Sequence, residues 1–200
     1  MRGARRRPFK ISLMNTTDAQ VVDDTRRWVE RAVIGLNLCP FANSVHVKGQ
    51  LHYAVSGALG WNDLLVDLER ELDDLLAYSF DKRETTLLMA PRTLQAFFEF
   101  TGFLVEADRL LRRRGLDGTI QLASFHPSYQ FAGTEPDDIT NFTNRAPHPT
   151  LHLLREDRVA QAVQAFPEAA AIYETNMDTM RRLGRQGWQD LMDRSKDLAR

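Results

Sequence analysis

Three short apolar runs, separated by two longer stretches of helical period, constrain this chain more than any other feature. The runs are "LHYAVS" (Leu51–Ser56), "ETTLLMA" (Glu84–Ala90) and "GTIQLAS" (Gly118–Ser124). The first alternates Leu51, Tyr53 and Val55 against small or polar neighbours, as a half-buried strand does. The second is almost continuously apolar, as a strand covered on both faces is. Between them, Leu64, Leu65, Leu68, Leu72, Leu75 and Leu76 mark one side of a helix over Trp61 to Tyr78. Pro91 opens a second helix, about Arg92–Arg114, which Gly115 closes. Strand–helix–strand–helix–strand order predicts crossover connections and a partly parallel sheet.

The flanks extend this frame. Val21, Thr25, Trp28, Val29, Ala32, Val33 and Leu36 form one apolar face of a helix from Asp18, capped by Thr17 with Gln20 and stopped before Pro40. "VHV" (Val45–Val47) pairs with or extends the first strand, "TLHLL" (Thr150–Leu154) supplies a fourth, and a helix follows near Arg155–Phe166. Pro167 to Arg200 reads as helical, interrupted around Gly184 and Gly187. The expected fold is α/β or α+β: a small mixed sheet of about four strands with helices packed on it, a long loop before the last strand, and a helical tail. Residues 18–200 are expected to form one domain, and residues 1–17 a basic, disordered leader.

Composition excludes several classes. Hydrophobic residues make up 43% and charged residues 26%, ordinary for a globular chain. Five basic residues (Arg2, Arg5, Arg6, Arg7, Lys10) stand among the first thirteen with no acid, leaving 21 basic against 27 acidic residues elsewhere. An acidic body and an arm with no cluster of stacking aromatics argue against nucleic acid as a partner. No apolar run reaches the roughly 18 residues of a membrane span, and no secretory h-region follows the basic start. The single Cys39 forbids an internal disulfide, so a cytoplasmic location is expected. Oligomeric state leaves no signal.

Chemistry is expected in the polar segment from His126 to Pro149, because ligands of such sheets bind beyond the carboxyl ends of the strands and structureless connections of this length are uncommon. His126, at the end of the third strand, is a candidate proton-transfer group or metal ligand. Asn144 and Arg145 offer an amide and a guanidinium fork suited to a carboxylate or phosphate. Tyr129 lies in the same loop, and Arg92 follows the second strand. His152 lies within the fourth strand, and Cys39 can act as a nucleophile if a histidine or a helix N-terminus lowers its pKa. For each, the plainer alternative is a residue that ties down a loop or fills the core. The His126–His148–His152 spacings match no zinc signature. A Gly-rich phosphate loop, a nucleophile elbow and a CxxC pair are all lacking, against the usual nucleotide-binding, α/β-hydrolase and thioredoxin forms.

From about Asp24 to Leu191 the chain resembles the bacterial proteins grouped as domain of unknown function 1415. The segments "VIGLNLCPFA", "TTLLMAP", "IQLASFHPSYQFAG", "TNRAPHPTLHLLRE" and "LGRQGW" carry the resemblance. It implies that Cys39-Pro40-Phe41, Ser124 to Pro127, Tyr129 to Phe131, Asn144-Arg145 and His152 through Glu156 belong to the family pattern. His148 stands where an aromatic such as Tyr is expected, and Ser128 where Asp is expected. The resemblance brings with it no established activity, cofactor or catalytic set. The leading expectation is therefore an enzyme, a hydrolase or group transferase, acting on a small anionic metabolite: Asn144, Arg145, Tyr129 and Arg92 hold it, and His126, Cys39 and His152 do the chemistry. The alternatives are a non-catalytic ligand-binding or protein-interaction module, and a transition-metal protein using His126, His152 and Cys39.

Overall fold

The computed structural model describes residues 16–165 and 171–193. The basic arm falls outside this range apart from its last two residues, as do Phe166 and the end of the tail. Helix α1 (Asp18–Trp28) has the expected capping box at Thr17 and Gln20, and continues as a π-helical segment, Val29–Ile34. There the Gly35 N–H donates to the Glu30 carbonyl, five residues back, at 3.0 Å. Helix α2 (Ala42–Val47), β1 (Leu51–Val55), α3 (Trp61–Ala77), β2 (Thr85–Met89), α4 (Phe97–Arg113) and β3 (Ile120–Phe125) follow. After a 3₁₀ turn at Ile139–Asn144 come β4 (Thr150–Arg155), α5 (Glu156–Ala165) and α6 (Ile172–Met192). Among the described residues no helix is long and apolar enough to cross a membrane.

The mixed α/β fold is as the patterning predicts. Its four strands stand in the order β1-β2-β4-β3, with β1 and β2 parallel and β4 antiparallel to both β2 and β3. Side chains of one sheet face, including Leu88, Leu151, Leu153 and Ile120, pack on Leu64, Leu68, Leu72 and Leu75 of α3 and on Phe100, Phe103 and Ala107 of α4. Along α3 these leucines recur at three- and four-residue steps and fall on one stripe. The opposite face, with Leu87, Met89, Tyr53 and Phe125, is covered by Val21, Trp28, Val29 and Ala32, and by Trp188 and Leu191 of α6.

Three expectations need correction. "VHV" is helix, not strand: Val45 faces inward while Val47 is 75% exposed, so two valines two apart mimic strand alternation on a single helical turn. Pro91 does not open α4. The chain first makes a turn in which Leu94 adopts a left-handed backbone (φ 57°), and the helix starts after Ala96. In the tail, Gly184 alone breaks the helix (φ 65°, ψ 176°), and Gly187 continues it.

Candidate functional site

His126 ends β3 fully buried, its ring packed against those of Phe97 (centroids 5.4 Å apart) and Phe100 (5.1 Å). Its Nδ1 accepts from the Ser128 N–H at 3.0 Å. The proton is therefore on Nε2, which lies 2.9 Å from the Leu94 carbonyl and donates to it. Burial holds the pKa below the ordinary value, the Leu94 carbonyl opposes this, and the Arg145 charge adds to the depression. Both nitrogens are taken by backbone partners, so the imidazole has no lone pair or proton to offer a ligand.

Arg145 is equally engaged. Its Nε donates to the Tyr129 carbonyl at 3.2 Å and an Nη to the Pro136 carbonyl at 2.6 Å, while the guanidinium lies 4.1 Å over the Phe142 ring. Asn144 donates its side-chain amide to the Ser124 carbonyl at 3.3 Å, and its own carbonyl accepts from the His126 N–H at 3.2 Å. Tyr129 packs between Phe97 and Phe131. Arg92 pairs with Asp18 at 2.9 Å on the surface. His126 and Arg145 do lie close together, but inside the hydrogen-bond network that orders the loop.

Buried Asn141 is the knot of that network. Its Oδ1 accepts from the Phe131 N–H (2.9 Å) and the Thr134 hydroxyl (2.8 Å), and its Nδ2 donates to the Glu135 carbonyl (2.9 Å). Asp138 caps the 3₁₀ turn through the Thr140 N–H at 2.8 Å. Helix α6 braces the outside, with Trp188 edge-on to Phe142 and Tyr173 edge-on to Phe131. Neither Phe131 nor Phe142 is an exposed recognition surface.

A cavity of about 330 Å³ lies elsewhere, on the sheet face opposite α3 and α4. Leu87, Ala123, Phe125 and His152 form its floor, which runs toward the rim where β2 and β3 begin. Val29 and Val33 of the π-helical segment, with Cys39 and Phe41, make one wall, and Val159 and Ala162 of α5 contribute another. None of residues 126–149 lines it. Of the seven candidates from sequence, Cys39 and His152 meet here; His126, Asn144, Arg145, Tyr129 and Arg92 do not.

His152 is half-buried, with Nε2 2.7 Å from the Thr85 hydroxyl, and burial pushes its pKa down to about 4. Burial also raises the pKa of the Cys39 thiol, against the backbone N–H groups of Phe41 and Ala42 that favour the thiolate. At the far end, Arg158 pairs with Glu84 at 3.4 Å and donates to Gln161 at 2.6 Å. Arg155 donates to the carbonyls of Leu75 and Tyr78. In the sequence Thr85 reads only as the start of an apolar strand. Only the β2–β4 register, which sets it diagonal to His152, reveals the pair.

Among the described residues no group of three or more histidines, cysteines or acids is placed to hold a metal ion. No curated protein and no solved structure matches the chain. Residues 20–190 match the family described as "Protein of unknown function (DUF1415)", the one its motifs resemble, and the chain belongs to that family.

Proposed function

We propose that this chain is a binding protein for a small, uncharged and largely apolar molecule held in the cavity over the β2–β4–β3 face. The cavity itself carries the reading: at about 330 Å³ it falls in the roughly 300–1,000 Å³ range of small-molecule sites, which are mostly apolar with a few placed polar groups. The π-helical segment beside it adds support, since such insertions recur at functional sites. One terminal nitrogen of Arg155 is held by carbonyls and Arg158 by Glu84 and Gln161, which favours an uncharged occupant over an anionic metabolite. Binding is favoured over catalysis because burial raises the Cys39 pKa and lowers that of His152, leaving neither poised near neutral pH.

Titration of the full chain with 1-methoxynaphthalene, followed by calorimetry and ligand fluorescence, tests this. Saturable one-to-one binding with a Kd on the order of 100 µM is expected for so small a probe. Ala123→Trp, which fills the floor, should abolish it while the circular dichroism spectrum is kept. No binding by the native chain, or undiminished binding by the folded variant, refutes the reading.

A further inference from the structure

We infer that the cavity selects apolar molecules carrying a hydrogen-bond donor, phenols foremost, because Nδ1 of His152 presents a bare lone pair to the occupant. The inference rests on the cavity being a ligand site and adds which ligands it takes.

The single proton of the Thr85 hydroxyl sets the tautomer of His152. The hydroxyl oxygen lies 2.6 Å from the Leu153 carbonyl and 2.7 Å from His152 Nε2. A carbonyl can only accept, so the hydroxyl donates to Leu153 and must receive its second bond from Nε2–H. That arrangement fixes the tautomer: the ring proton is on Nε2, and Nδ1 is unprotonated. The imidazole stays neutral at physiological pH, since burial holds its pKa near 4. Among the described residues no donor meets Nδ1, and the half-buried ring lines the cavity beside Ala123, Phe125, Val29 and Val33.

An apolar occupant that expels water from such a site without replacing its hydrogen bond leaves an acceptor unpaired; one bearing O–H or N–H restores the bond. The Cys39 thiol, also on the lining, is only a weak donor, and the buried Trp28 Nε1–H makes no hydrogen bond, so neither satisfies Nδ1. Discrimination of about tenfold is expected, equivalent to about 1.4 kcal/mol.

The test compares 1-naphthol with 1-methoxynaphthalene, a pair alike in ring and oxygen but differing in the donor, on the full chain at neutral pH. Naphthol should bind about tenfold more tightly. In ring-¹⁵N-labelled protein, His152 should show the Nε2–H tautomer, and its Nδ1 resonance should move on adding naphthol and stay in place with the ether. His152→Phe should bind both probes equally. Equal affinities in the native chain, an Nδ1–H tautomer, or a preference that survives in His152→Phe each overturn the inference. Equal binding of both probes leaves the cavity reading intact, whereas binding of neither removes both.

Discussion

Replacing His126 with alanine should cost stability and leave the cavity untouched. The change removes two hydrogen bonds, to the Leu94 carbonyl and from the Ser128 N–H, and empties the space between Phe97 and Phe100. Leu94 is 2% exposed, so its orphaned carbonyl should cost about 1–3 kcal/mol. The lost ring adds about 1–2 kcal/mol of packing, whereas the N–H of exposed Ser128 can turn to water. A total of about 2–5 kcal/mol lowers Tm by roughly 4–20 °C for a domain of this size. Two half-way variants sharpen the prediction. Glutamine can reproduce the Nε2 donor and asparagine the Nδ1 acceptor, so His126→Gln should be the milder, because it rescues the buried partner. Differential scanning calorimetry of the three variants, with 1-methoxynaphthalene affinity measured alongside, decides it. A loss below about 1 kcal/mol for alanine, asparagine milder than glutamine, or a changed affinity would refute the structural role given to this ring.

Glu71 and Arg83 form a buried pair at 2.5 Å, with Asp74 3.5 Å from the same guanidinium. Glu71→Ala should cost about 3 kcal/mol in urea denaturation, and Glu71→Leu with Arg83→Met should recover most of it; a single variant as stable as the parent contradicts the pairing. The His152 pKa is lowered from 6.5 to about 4. The unfolded chain therefore takes up a proton below pH 6.5 that the folded chain refuses, so this stability is full above pH 6.5 and declines toward pH 4, by at most about 3 kcal/mol. His152→Phe should flatten that limb of the profile, and an unchanged limb would show that the ring is not neutral in the fold. Burial of the Cys39 thiol should slow its reaction with iodoacetamide at neutral pH at least about tenfold relative to a free cysteine, as intact mass spectrometry would show; equal rates would place the thiol in the open.

The elements with a single dominant period were legible in the sequence. Leucines along α3, the uninterrupted apolar run of β2 and the Thr17–Gln20 cap each state their structure locally. The 91–96 turn was not legible, because its left-handed Leu94 is held by His126, thirty-two residues away. Arg145 and Asn144 looked like ligand-binding groups because a fork of donors is the same chemistry whether it meets a phosphate or a backbone carbonyl. Sequence lists donors but not the carbonyls of Tyr129 and Pro136 that a closed loop brings to them. The cavity was hidden for a related reason. Its polar pair, Thr85 and His152, is joined only through strand register, and its walls come from segments distant in the chain.

The placement of β4 between β2 and β3 sets an order of assembly. Until residues 150–155 arrive, β3 has no neighbour to pair with and β2 has only β1. A released chain truncated near residue 149 should therefore protect β1 and β2 amides from hydrogen exchange while β3 stays open. The last strand to be made would then close the sheet and the pocket floor in one step.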